Sequence, residues 1–117
     1  MPLRQSWGSR MAKLKLSPLA EEDLREIKAY IEQESGESER AAKQLANIIS
    51  KLRFLQEQPQ MGASLTAMIG MMTEYRYLVC GSYYAFYRQI GDTVYIVRIL
   101  HCARDFMRVL FGTIQEP

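Results

Sequence analysis

Apolar and polar positions change their period twice along this chain, and the changes divide it into elements. In AKLKL, Leu14 and Leu16 alternate with Lys13 and Lys15, which predicts a short strand with one buried face. Ser17 then offers an N-cap and Pro18 suits the first helical position. Glu21, Glu22 and Asp23 place negative charge where the helix dipole favours it. Leu24, Ile27 and Ile31 follow at helical spacing, predicting an amphipathic helix over 18–34 that Ser35 and Gly36 stop. A second helix is predicted from near Ser38 to about Gln58, with Leu45, Ile48, Ile49, Leu52 and Leu55 on its apolar stripe and Pro59 at its end. The short link between them makes an antiparallel helical hairpin, and each apolar stripe needs a cover.

From Glu74 the period becomes two. YRYLVC, YYAFYR and TVYIVRIL read as strands rich in aromatic and β-branched residues. Gly81-Ser82 and Gly91-Asp92 suit two-residue hairpin turns, so the three strands form an antiparallel meander. Strict alternation along the last one puts Tyr95, Val97 and Ile99 on one face and Ile96, Arg98 and Leu100 on the other. Phe106, Val109 and Leu110 before Gly112 predict a short terminal helix. Between the halves, residues 59–73 read as a long loop whose Met68, Met71 and Met72 either cap the core or form an adaptable docking surface. The core reading is favoured, because buried methionine is common. The fold expected is α+β: an antiparallel sheet, made of the N-terminal strand and the meander, packed against the helical hairpin.

Length and composition narrow this picture. The 117 residues suit one domain, expected over 12–112, and a hydrophobic fraction of 48% with 24% charged residues is that of an ordinary globular chain. Residues 1–11 match no period and are expected to be a flexible extension or tag remnant, with 113–117 a tail. No apolar run approaches the roughly 20 residues that span a bilayer, so no membrane partner is expected. Cys80 and Cys102 have no metal-ligand spacing and read as free thiols of a cytoplasmic protein.

Charge is distributed unevenly. From Glu21 to Glu57 nine acidic side chains face six basic ones, whereas from Arg76 to Arg108 five arginines face only Asp92 and Asp105. A basic, aromatic third attached to an acidic helical one is compatible with a polyanion or an acidic protein partner. Arginines that simply solvate the open face of a sheet account for so small an excess equally well.

The opening KLSPLAEEDLREIKAYI, the helix AAKQLANIISKLRFLQEQP, the segment YRYLVCGSYYAFYR and the ending RILHCARD, in this order, resemble the RelE/ParE superfamily of toxins from bacterial type II toxin-antitoxin systems. The likeness runs from about Leu14 to Leu110. The acidic hairpin and the ILHxxRD ending look more like the ParE branch, whose members act on DNA gyrase, than the RelE branch, which cleaves messenger RNA in the ribosome. The resemblance implies a cognate antitoxin, a toxin-antitoxin hetero-oligomer that represses its own operon, and a role in plasmid stabilization; with no histidine pair, cysteine cluster or phosphate-cradling glycine loop in the sequence, no metal or other cofactor is expected. Two departures from the superfamily pattern remove positive charge: Tyr84 stands for the first arginine of YRxxYR, and Ala103 precedes Arg104 where HxRRD is frequent.

If this chain cuts RNA, a group must take the 2′-hydroxyl proton and cations must hold the phosphorane. Arg76, Arg88 and Arg104 suit the second task and His101 the first, while Tyr83, Tyr84 and Tyr87 could stack on bases. Each also has a structural reading. His101, alone in its residue type, could hydrogen-bond backbone at a strand end, and this reading is favoured. Asp105 could pair with Arg104 or sit in the first turn of the terminal helix. Arg76, inside an aromatic strand, needs a carboxylate, phosphate or backbone partner. Of the functional readings, a toxin that binds gyrase comes first, with Arg76, Tyr84, Arg88, Arg98, Arg104, Asp105 and Arg108 contacting target or antitoxin. A ribosome-dependent RNase using His101, Arg104 and Arg76 comes second, and an inactive homologue that keeps antitoxin binding third.

Overall fold

The computed structural model describes residues 11–36 and 38–112. The expectations for residues 1–10 and 113–117 lie outside the described residues. The elements run β1 (Lys13–Leu16), α1 (Pro18–Ser35), α2 (Ser38–Glu57), β2 (Ala63–Ser64), α3 (Leu65–Ile69), β3 (Arg76–Cys80), β4 (Tyr83–Ile90), β5 (Thr93–His101) and α4 (Phe106–Phe111). The α+β class and the helical hairpin follow the apolar periodicity closely. No helix among the described residues is long and apolar enough to cross a membrane.

The strands form one sheet in the order β1-β5-β4-β3-β2. The meander is antiparallel as expected, and its turns carry Gly81 and Gly91 at φ 65 and 62, the conformation a two-residue turn with glycine first requires. The N-terminal strand departs from expectation: β1 runs parallel to β5, Leu16 lying opposite Ile96. Such a pairing needs a long crossover, and every element from α1 to β4 intervenes between the two strands. The expected loop at 59–73 contains β2, which pairs with Arg76 and Tyr77, and the short α3, capped by Ser64. Both elements fall below the length at which a periodic pattern becomes visible.

Each face of the sheet has its own cover. On one face α1 and α2 bring Ala20, Ile27, Ile31, Ile48, Leu52 and Leu55 against Leu78, Ala85, Tyr87, Val94 and Ile96. On the other, Leu65, Phe86 and Leu100 are covered by Ile69 of α3 and by Phe106, Val109 and Leu110 of α4. Two expectations about the core fail here. Met68, Met71 and Met72, expected to cap the core, are exposed, and from this segment Leu65 instead packs beside Phe86 and Leu100. Ile49 lies at the margin of the α2 stripe and is also exposed.

The alternation expected along β5 fails for a different reason. Phe86 pairs with Arg98 but Tyr87 pairs with Ile96, leaving Val97 as an extra residue in a bulge. The bulge resets the faces, so Val94, Ile96 and Ile99 all reach the hairpin-side core. It also coincides with the end of β1, beyond which the edge of β5 has no strand beside it. The start of α1 takes over there. Ser17 accepts the Ala20 N–H at 2.9 Å as the helix cap and donates to the Val97 carbonyl at 2.7 Å. Asp23, 6% exposed, accepts the Ile99 N–H at 2.9 Å and both prongs of the Arg98 guanidinium at 2.8 and 2.9 Å.

Removing one member of a buried, bidentate pair strands the other charge. Asp23→Ala should therefore lower the unfolding free energy by about 3 kcal/mol in urea titrations, against less than about 0.5 kcal/mol for the exposed neighbour in Glu22→Ala.

Candidate functional site

The basic, aromatic strands distribute the candidate residues over both faces of the sheet. Arg76 lies opposite Tyr87 and so on the hairpin side, whereas Tyr84 and Arg88 alternate onto the other face with Phe86. Arg76 is satisfied by backbone: Nε donates to the Gly62 carbonyl at 3.1 Å and Nη2 to the Gln60 carbonyl at 3.3 Å. The same segment is held by Tyr87, whose hydroxyl donates to the Pro59 carbonyl and accepts the Gly62 N–H, both at 2.9 Å. Gly62 is required by this approach, since a Cβ there would lie 2.5 Å from the Tyr87 hydroxyl. Arg76 and Tyr87 together fasten the segment that leads into β2.

His101 pairs with Tyr83 at the far end of β4 from the Arg76–Tyr87 pair. Four residues along the strand and one strand to either side separate Arg76 from His101, about 14 Å lengthwise and about 10 Å across. The imidazole meets the Tyr83 ring edge-on at 5.3 Å, and its Nδ1 accepts the Ala103 N–H at 3.0 Å. That bond occupies one ring lone pair, so the neutral ring carries its proton on Nε2, as a donor. In this geometry neither nitrogen of the neutral ring offers a lone pair to a hydroxyl proton.

Arg104 follows in a turn closed by its N–H on the His101 carbonyl at 2.9 Å. It joins His101, Tyr30, Tyr83 and Glu26 around an open cavity of about 200 Å³ between α1 and the end of β5. A neighbouring depression of about 370 Å³ shares Tyr30, Tyr83 and His101 and adds Arg40, Glu34 and Ser82. A third, of about 380 Å³, runs on past Tyr83 to Cys80 and Lys51. Burial raises the Tyr83 phenol above its ordinary value, helped by Tyr30, so its hydroxyl stays protonated at neutral pH. The furrow is polar, aromatic and mixed in charge.

The remaining candidates do not line it, although Asp23, the partner of Arg98, does. Arg98 is held by Asp23. Asp105 caps α4, accepting the Arg108 N–H at 3.3 Å, with the Arg108 side chain 3.8 Å away. Tyr84 packs edge-on against Tyr77, Phe86 and Phe106. Arg88 reaches Glu74 at 3.4 Å and lies over the Tyr75 ring. The structure thus brings His101 and Arg104 together and separates both from Arg76. Sequence reasoning missed Tyr30 and Lys51, whose helical spacing marks only an outer face, and Asp23, which resembles any acidic residue of a first turn.

The family model for the ParE toxin of the type II toxin-antitoxin system parDE matches residues 14–106. The chain belongs to the ParE toxin family. This ParE-family chain is similar to a chain of the chromosomal ParDE toxin-antitoxin system from P. aeruginosa, at 26% identity and a TM-score of 0.67, covering 79% of this chain and 97% of that one. A chain of the RelBE2 toxin-antitoxin complex from Mycobacterium tuberculosis shares the fold alone, at 19% identity and a TM-score of 0.52 over 78% and 98%. No curated protein matches the ParE-family chain. The fold and superfamily expected from the quoted segments are borne out.

Two measurements test the local chemistry. Tyr87→Phe leaves the Gly62 N–H and the Pro59 carbonyl without their partner, which should cost about 2 kcal/mol of stability, read from urea unfolding at constant m-value. Burial pushes the Cys80 thiol up to about 11, leaving roughly one molecule in a thousand as thiolate at pH 8. Iodoacetamide at pH 8 should therefore alkylate the half-buried Cys102 well before Cys80, as followed by peptide mass spectrometry.

Proposed function

We propose that this toxin acts in the cytoplasm by binding DNA gyrase, and that a cognate antitoxin neutralises it in a hetero-oligomer. The observation that carries the reading is the dispersal of the side chains an RNase would need. Arg76 is bound to the Gly62 and Gln60 carbonyls, and the His101 Nδ1 is taken up by the Ala103 N–H. Phosphorane stabilisation and proton removal need their groups around one reacting atom. A binding surface has no such requirement, and the furrow from Lys51 to Arg104 offers exposed aromatic and cationic anchors of the kind that dominate protein interfaces.

An antitoxin fits a second feature, the edge of β3. The short β2 covers only Arg76 and Tyr77, so Leu78, Val79 and Cys80 pair with β4 alone. Val79 is exposed there, and its carbonyl accepts the Lys51 ammonium at 3.3 Å. An extended acidic segment could add along this edge, with Lys51 meeting its charge. The ParDE likeness supports an antitoxin as the source of that segment.

The RNase reading retains one favourable observation, the shared cavity of His101 and Arg104. A supercoiling assay with purified gyrase separates the two. The chain should inhibit supercoiling, and Arg104→Ala should weaken inhibition about tenfold, the effect of losing one interface anchor. Absence of inhibition at any concentration, together with His101-dependent cleavage of messenger RNA in a translating extract, would overturn the gyrase reading.

A further inference from the structure

On the face of the sheet away from the hairpin, Arg88 holds the one buried side-chain nitrogen or oxygen among the described residues that has no hydrogen-bond partner, its Nε. Its Nη2 contacts the Glu74 carboxylate at a long 3.4 Å, and Glu74 itself is 77% exposed. The guanidinium lies 5.9 Å above the Tyr75 ring, which Phe111 of α4 braces edge-on at 5.6 Å. Around these groups opens a cavity of about 470 Å³ lined by Met72, Thr73, Glu74, Tyr75 and Arg88. The Arg88 side chain is 38% exposed, so the end of its guanidinium meets solvent while the Nε N–H is shielded without an acceptor, and an orphaned buried donor in a folded protein calls for a ligand, a water or a function.

We infer that this cavity is a carboxylate site, which receives an acidic side chain from an amphipathic segment of the antitoxin. Displacement of Glu74 would open the Nε and Nη2 edge of Arg88, which matches the two oxygens of a carboxylate, and the planar group is already set by Tyr75. Met72 is 88% exposed at the rim, with Met71 and Met68 also exposed nearby in the chain. Unbranched thioether side chains suit apolar neighbours of the incoming acid, because they repack at little cost. The lining decides against a nucleic acid. Arg88 is the one cation among the lining residues, whereas polyanion binding depends on several. Glu74 occupies the site loosely in the unbound chain and is displaced when the partner's carboxylate arrives.

The inference rests on the antitoxin reading for its partner, but the site can be tested with and without it. With the antitoxin encoded beside the toxin gene as probe, Arg88→Lys should weaken the complex at least tenfold, because lysine keeps the charge and loses the fork. Glu74→Gln should tighten it about threefold by freeing Arg88. Binding by Arg88→Lys within twofold of the native chain would overturn the inference, provided both variants melt with the native chain. Without antitoxin, the Arg88 Nε resonance of the labelled full chain should move on titration with N-acetylglutamate N-methylamide and remain still in equal sodium chloride. No movement overturns the carboxylate site even where the antitoxin binds. Movement in a native chain that binds no antitoxin supports the site and contradicts only the antitoxin reading.

Discussion

The carboxylate of Asp23 joins the two halves of this molecule. The hairpin and the sheet meet across an apolar interface that specifies no register by itself, since Ile27, Ile31, Ile48 and Leu52 would pack on many aliphatic surfaces. Asp23 removes that freedom. It sits one helical turn into α1 and accepts from the Arg98 side chain and the Ile99 N–H just past the point where β1 ends. A strand edge that would otherwise be buried with an open N–H is satisfied, and the bulge at Val97 becomes tolerable. Everything downstream inherits this geometry: the end of β5, the turn that His101 closes on Ala103, and the approach of Arg104 to Tyr30 and Tyr83.

Strand alternation and register sort the arginines of the basic third. Arg98 serves the junction, Arg76 fastens the segment entering β2, Arg104 stands beside the furrow and Arg88 faces the other way. A cluster in sequence is therefore not a cluster in space. An alternating strand sends neighbours to opposite faces, and in this meander Arg76 and His101 lie four residues along and two strand spacings across from each other. The sheet has helical covers on both faces but leaves the β3 edge open over three residues. That combination suits a toxin that is held by another protein.

Much of the fold was legible because its signals are periodic and local. The capping serine before Pro18, the apolar stripes of α1 and α2, and the glycine turns at 81 and 91 each declare an element within a few residues. The parallel pairing of β1, the bulge at Val97 and the two short elements after Pro59 were not legible. They depend on what lies opposite in space, or are too short to carry a period. The methionines illustrate the limit: their hydrophobicity predicted burial, but Leu65 packs in that core and Met72 stands in solvent. Of the site, His101 and Arg104 were found as a pair by adjacency in sequence. Asp23 and Glu74 were missed because an acidic residue announces its partner only once the chain is folded.

On the gyrase proposal this ParE-family toxin occupies its target rather than cleaving RNA, since Arg76 is held by backbone carbonyls far from His101 and Arg104. Expression of the full chain in bacteria without an antitoxin, with a DNA-damage reporter and pulse-labelling of protein synthesis read in the same culture, tests this most directly. Gyrase binding predicts early DNA-damage signalling while translation continues. An immediate stop in translation without that signal would contradict it.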